Sequence, residues 1–440
     1  MDDRAENRLT PETKRRLLEN ISRRQHAEGA EAIQTEFYRF EDFWEYQRLC
    51  LHREIAEKAG IRNPFFHIHD GVPADRSRID GREMLNFSTY NYLGLCGDPR
   101  IAEAAKDAID RYGTSAGASR VVSGEKPVHR ELEEGIADML EVSDAVVMVG
   151  GHATNVTTIG TLIGSRDLLV YDRLAHNSLL EGAKVSGAKP MAFKHNDWRD
   201  LDDVLTRCRG EFEKVLIVVE GLYSMDGDVA PLDRLIDVKR RHKALLMVDE
   251  AHSLGVLGKR GRGIREHFGI AGADVDIWMG TLSKTLASCG GYIAGSHALV
   301  ELLKFTAPGF VYSVGIAPPA AAAANAALRI MLQEPWRVRR LNANAKLFME
   351  LAQERALDVG LSDGHNIVSI ITGGSIIAGK LSNALANRRV NALPIIYPAV
   401  PERAARVRFF LSALHQEEQI RQTVDIVREE VTRLNEDIGN

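Results

Sequence analysis

Between residues 280 and 292 the chain reads "GTLSKTLASCGGY", with a lysine between two small hydroxylated residues and a glycine pair shortly after it. An exposed lysine is an ordinary solvated charge. Partly removed from water, Lys284 would lose its proton more readily and could form a Schiff base with a carbonyl. Gly290 and Gly291 leave room for something flat to approach the backbone. Asp249, at the end of "ALLMVDEAH", reads either as a helix N-cap or as the carboxylate that keeps the ring nitrogen of a pyridine protonated. His252, three residues on, could donate to a phenolic oxygen of the same ring, and His176, after "LLVYD", could offer a flat face for stacking. Gly150, Gly151 and His152 make a short glycine turn suited to a phosphate at a helix N-terminus, and Thr281 and Ser283 add hydroxyl donors. Each of these is a common turn residue when taken singly.

What unites them is position, because each follows a short apolar run. The runs are "AVVMV", "DLLVYD", "KPMAF", "KVLIVVE", "ALLMVDE", "DIWMG" and "GYIAG", separated by helical segments. Unbroken apolar strands alternating with helices predict a mainly parallel sheet covered on both faces. Ligands in such sheets bind beyond the carboxyl ends of the strands, where this chain also places Glu220, Ser224 and Asp226. Upstream, "TPETKRRLLENI" predicts a helix with Thr10 as N-cap and Pro11 at its first position, and "FEDFWEYQRLCLHREIAEKAG" predicts another closed by Gly60. A hairpin-like stretch then reaches "MLNFSTYNYLGL", and a helix through "DPRIAEAAKDAIDRYG" ends at Gly113. Downstream, the helix "APPAAAAANAALRIMLQ" leads to a strand in "NIVSIITGG", a loop "NALPIIYPAVP", a strand "ARVRFFLS" and a closing helix from about Gln416. The expected organisation is an N-terminal helical extension and hairpin over 1–85, a large domain over 86–330 and a small C-terminal domain over 331–440.

Composition narrows the function classes. The 440 residues are 45% hydrophobic and 27% charged with a formal net charge of -5, which gives no basic excess for nucleic acid. Cys50, Cys96, Cys208 and Cys289 lack any C-x-x-C spacing, so neither a metal site nor a disulfide framework is expected, and a reducing cytoplasm fits. The N-terminus has no apolar signal-type run, and no stretch approaches the roughly 18 apolar residues of a membrane span.

"DEAH" followed downstream by a "T-x-S-K" lysine resembles the fold-type I enzymes that use pyridoxal 5'-phosphate (PLP), and within them the α-oxoamine synthases. The resemblance runs from "NFSTYNYLGL" to "ARVRFFLSALH" through "GTSAGASRVVSG", "HRELEE", "LYSMDGDVAPL", "VDEAHSLGVLGKRGRG" and "FVYSVGIAPP". It implies an α/β fold with a seven-stranded, mainly parallel sheet in the large domain and a smaller α+β C-terminal domain. It further implies that Lys284 forms the internal aldimine and moves protons at the substrate Cα. Asp249 would pair with the pyridinium nitrogen, His252 would bond the phenolic oxygen and His176 would stack on the ring. Gly151, His152 and Thr281 would hold the phosphate with Ser313 from the partner subunit of a homodimer, and Ser224 would lie near the cofactor. Arg408 would bind the amino-acid carboxylate, with Asn91 or Tyr90 near the substrate.

The implied reaction is decarboxylative condensation of an L-amino acid with an acyl thioester, giving an α-oxoamine, CO2 and free thiol. Where many members carry glycine, an aromatic and then x-x-Asn, this chain has "GHATN", and where many have "NHAS" it has "AHNS". These forms resemble polyketide-associated members, and "TYNYLGL" resembles serine palmitoyltransferase, which points to a long or polyketide-like acyl group and to an acyl carrier protein as a candidate donor. An aminotransferase on the same fold would share Lys284 and Asp249 but not "SMDGDVAPL". A non-catalytic partner subunit would lack the lysine that this chain retains.

Overall fold

The computed structural model describes residues 33–439 together with Arg15, so the helix expected at "TPETKRRLLENI" lies outside the described residues. The chain forms two compact units, Met1–Asn63 and Pro64–Asn440. In the first, the turns Thr35–Phe37 and Phe40–Asp42 precede a helix over Trp44–Lys58 in which no residue is buried.

The second unit begins with strands β1 (His69–Asp70), β2 (Arg76–Ile79) and β3 (Arg82–Asn86). Asp80 and Gly81 connect β2 to β3 with φ of 47° and 76°, the positive angles of a tight hairpin turn. A helix over Pro99–Tyr112 follows, capped by Asp98, which accepts from the Arg100 N–H. The seven apolar runs then become β4 (Asp144–Met148), β5 (Leu168–Asp172), β6 (Lys189–Phe193), β7 (Val215–Glu220), β8 (Leu245–Asp249), β9 (Ile277–Thr281) and β10 (Gly291–Gly295). They form one sheet in the order β4-β10-β9-β8-β7-β5-β6. Only β10 runs antiparallel to its neighbours, so the start of β10 lies at the edge where the other strands end. Gly291 is paired there with both Met148 and Thr281.

Alternate residues of these strands enter opposite cores. Ala145 and Val147 face one cluster and Val146 and Met148 the other; Leu168 and Val170 oppose Leu169. Helices on both faces bury nearly every position of six of these strands, which is why those runs contain no polar alternation, while the edge strand β6 buries only Phe193.

After the helix Pro318–Gln333 and a second over Trp336–Glu354 come β11 (Ile367–Ile371), β12 (Val390–Asn391), β13 (Leu393–Ile395) and β14 (Arg406–Phe410), then the closing helix Glu417–Gly439. The segment expected as a loop, "NALPIIYPAVP", thus contains strand. Its first residues complete β12, which pairs in parallel with β3, and β13 pairs with β14 as the edge of a three-stranded sheet. Pro394 made this stretch look irregular, yet an edge strand tolerates a residue that donates no ladder hydrogen bond. Among the described residues no helix is long and apolar enough to cross a membrane.

Arg120 pins this architecture beside the sheet. Its guanidinium bonds Glu133 at 2.5 Å and Glu125 at 2.6 Å, and Glu133 also accepts from the Val147 N–H of β4 at 2.9 Å. Because the side chain is 2% exposed, Arg120→Met leaves the buried Glu133 carboxylate with the more exposed Lys304, at 3.2 Å, as its remaining cation. The variant is expected to lose about 3 kcal/mol of stability in urea unfolding followed by fluorescence.

Candidate active site

The carboxyl edge of the large sheet converges on Lys284, which lies in the return from β9 to β10. Lys284 Nζ is 2.8 Å from His252 Nε2, and His252 Nδ1 is 2.8 Å from Tyr92 Oη. A protonated Lys284 donates to Nε2, which leaves the neutral imidazole with its proton on Nδ1, donating to Tyr92. Burial, reinforced by the Lys284 charge, holds His252 well below the usual imidazole range. Burial also pulls Lys284 down to about 8, against the opposing influence of Asp249 and Glu220. An amine in that range is available near neutral pH as a nucleophile or base. The Tyr90 ring centre is 5.3 Å from the same Nζ.

Asp249 ends β8 and caps a turn there, where the sequence also allowed a helix start. One oxygen accepts from the Ala251 N–H at 2.9 Å, as a turn cap does, and the other accepts from Asn155 Nδ2 at 2.9 Å. The Asn155 amide also donates to Ser178 Oγ at 2.9 Å, and Ser178 Oγ is 2.8 Å from His176 Nδ1. His176 caps the helix Asn177–Ser186. Asn155, Ser178 and Tyr92 were assigned no role from sequence; their only signal was membership of "GHATN", "AHNS" and "TYNYLGL". The His152 ring stands edge-on to His176, with centroids 6.4 Å apart.

Glu220 ends β7 beside Asp249 as its ladder partner. Burial first, and then the Asp249 charge, push its carboxyl up to about 8. Ser224 donates its N–H to Glu220 Oε2 at 3.1 Å, and its carbonyl accepts from Arg408 Nη1 at 2.6 Å. The Arg408 guanidinium lies 4.4 Å from the Phe410 ring centre, and its charge bears on Lys284, His252 and His176.

The glycines beside the helix Gly151–Leu162 are closely approached. A Cβ on Gly151 would meet Thr281 Oγ1 at 2.9 Å, and one on Gly291 would meet Thr154 Oγ1 at 2.5 Å. Thr281 Oγ1 donates to the Gly290 carbonyl at 3.1 Å and accepts from the Ser283 N–H at 3.2 Å. With the unsatisfied first N–H groups of the helix, these donors suit an anion.

Two expected residues are placed apart from this cluster. Asn91 is engaged by its own loop, donating to the Pro73 carbonyl at 2.7 Å and accepting from the Cys96 N–H at 3.1 Å, which leaves Tyr90 as the neighbour of Lys284. Ser313 lies on an exposed segment beside Tyr312 and has no hydrogen bond to the cluster among the described residues. No group of three or more His, Cys, Asp or Glu among the described residues is arranged to hold a metal ion.

A further histidine ties the edge together. His195 Nδ1 lies 2.8 Å from Asp172 and Nε2 lies 2.7 Å from Asp228. Burial disfavours its charge, but the bonds to Asp172 and Asp228 outweigh burial and raise it to about 10. Asp172 also accepts from the Leu174 N–H at 2.9 Å, within the turn that presents His176, and Asp228 closes the loop that presents Ser224.

The chain is similar in sequence and fold to known proteins. The aminotransferase class I and II family matches residues 82–427. The 8-amino-7-oxononanoate synthase of Symbiobacterium thermophilum is 40% identical over 83% of this chain and 92% of its own length. That of Thermoanaerobacter pseudethanolicus is 35% identical over the same shares. A serine palmitoyltransferase structure with a PLP internal aldimine superposes with a TM-score of 0.85 at 27% identity, covering 89% of this chain and 98% of that one. The 8-amino-7-oxononanoate synthase structure from Francisella tularensis gives 0.70 at 27% identity, over 80% and 99%.

The sign of the His195 contribution follows from its raised proton affinity. Its stabilisation is complete below about pH 6.5 and is lost as pH rises through about 10. His195→Gln is expected to lower the thermal midpoint at pH 7 and to remove most of the decline that the native protein shows between those pH values, read by scanning calorimetry.

Proposed function

The chain belongs to the α-oxoamine synthase family of fold-type I PLP-dependent acyltransferases, and from that premise we propose that it condenses an L-amino acid with an acyl thioester to give an α-oxoamine, CO2 and a free thiol. The observation that carries the proposal is the half-buried amine of Lys284 at the carboxyl edge of the sheet, within electrostatic reach of the Arg408 guanidinium. One group is a base, and the other is a fork suited to a carboxylate.

The residues present fit PLP. Lys284 is a buried amine for its aldehyde, Asp249 an acceptor for its ring nitrogen, and His252 a partner for its phenolic oxygen. His176 would face the ring. Gly151, His152 and Thr281 would meet the phosphate at a helix start where a Cβ at Gly151 or Gly291 would intrude. When bound, PLP supplies the electron sink for charge developing at the substrate Cα.

The chain's own residues do the rest. Arg408, fixed by the Ser224 carbonyl and the Phe410 ring, holds the amino-acid carboxylate. Lys284 takes the proton from the substrate Cα. A bond then forms between that carbon and the acyl carbon as the thiolate leaves; the carboxylate departs as CO2 and Lys284 returns the proton. His252, neutral and donating to Tyr92, keeps an acceptor directed at the lysine while that proton moves. His176 is positioned to polarise the thioester carbonyl. Tyr90, 42% exposed, lies at the entrance and contacts the incoming substrate. Ser313 is assigned to the neighbouring site of a homodimer, and the acyl group arrives on CoA or on an acyl carrier protein.

Holoenzyme incubated with a panel of L-amino acids and acyl thioesters should release thiol and CO2 in equal amounts. Keto-acid formation without thiol would overturn the reading in favour of transamination. Lys284→Ala should lower turnover on the order of 10^3-fold. Arg408→Ala should raise KM for the amino acid about 30-fold, the loss expected for one charge-assisted bond.

A further inference from the structure

The edge of the sheet holds one carboxyl more than this chemistry uses. Glu220 and Asp249 are Cα partners on adjacent parallel strands, 3% and 4% exposed. Two anions so placed in a poorly polarisable interior repel each other, and one of the pair retains a proton. Their hydrogen bonds decide which one. Asp249 has a donor at each oxygen, from Asn155 and from the Ala251 N–H. Glu220 has the Ser224 N–H at Oε2, while its Oε1 is buried without a partner. An ionised carboxylate would carry charge there without the hydrogen bond it had in water, whereas the neutral acid carries none, and its proton belongs on Oε1 because Oε2 already accepts from Ser224.

The groups facing Glu220 come from every element around it. Asp249 on β8 disfavours its charge; Lys284 on the β9–β10 return and the N–H groups of Ser224 and His176 favour it; Tyr223 on its own loop is uncharged. Burial outweighs the favourable set.

We propose that Glu220 is a positioning residue held as the neutral acid, with its proton on Oε1, so that Asp249 carries the single carboxylate charge on the floor of the cofactor site. The inference rests on the PLP reading given above. Its consequence is a built-in alkaline limit. Release of the Glu220 proton sets a second anion beside Asp249 and raises the affinity of Lys284 for its own proton.

The test compares holoenzyme with Glu220→Gln, whose amide is a permanently neutral replacement, and with Glu220→Leu as a second neutral variant should the first fold poorly. Thermal midpoints are read against pH. The folded native protein keeps a proton that the unfolded chain releases between 4.5 and about 8. Native stability relative to either variant should therefore fall with rising pH across that window, by up to about tenfold in the folding equilibrium per pH unit, and level off above it. Infrared difference spectra should show a protonated-carboxyl band in the native protein that is lost on alkaline titration and absent from the variants. Parallel stability profiles, or no variant-sensitive acid band, in a protein that still carries PLP would overturn the inference alone. A protein that retains no PLP would overturn the cofactor reading, while the stability comparison still reports on the Glu220 proton.

Discussion

A lysine buried at the end of a strand must either lose its proton or stand close to negative charge, and Lys284 is held between these outcomes. Burial lowers its proton affinity, and Asp249 and Glu220 restore part of it. The result is an amine near 8, useful because both of its protonation states are accessible near neutral pH. Much of the nearby structure follows from this balance. His252 must be neutral to accept from the ammonium, Tyr92 must accept from His252, and the carboxyl groups below must not carry two full charges together.

The sheet topology makes the balance possible. Six strand ends bring residues far apart in sequence to one edge, and the reversed β10 returns the chain there with a glycine at its first position. A side chain on Gly291 would collide with Thr154, so this return is compatible with a closely approached backbone and little else. The edge is braced from outside the site by His195, whose two aspartate partners hold the turns carrying His176 and Ser224. Stability and positioning are supplied here by the same ionic contact.

How far the sequence discloses this depends on the kind of interaction involved. All seven strands of the large sheet were legible: six because strands covered on both faces must be apolar, and the exposed edge strand β6 as a short run with few polar residues. Lys284, Asp249, His252 and His176 were legible as a group because they follow those runs. Tyr92, Asn155, Ser178 and His195 were not, because their roles arise from contacts with residues distant in the chain and their types carry no signal alone. Asn91 and Tyr90 are adjacent in sequence, and only backbone geometry decides that the amide turns into its own loop while the ring turns toward the lysine. The β13 strand was hidden by Pro394, whose tolerance depends on an edge position that no local pattern reveals.

Arg408 reaches the cluster from a different sheet, and the registration of that sheet on the loop after β7 is correspondingly explicit. Three successive carbonyls of the "SMD" segment are gripped from the small sheet: Ser224 by Arg408, Met225 by Arg406 and Ser369, and Asp226 by Ser362. Arg406 also pairs with the Asp226 carboxylate, so the arginine two residues before Arg408 is neutralised where it is buried. Arg408 has no carboxylate partner among its described contacts; the Ser224 carbonyl, the Met225 sulfur, the Tyr90 hydroxyl and the Phe410 ring hold it. Two arginines separated by one residue on β14 thus divide the work. The one with an internal counterion fixes the small sheet to the loop after β7, and the one without keeps its charge available for a carboxylate that the chain itself does not provide.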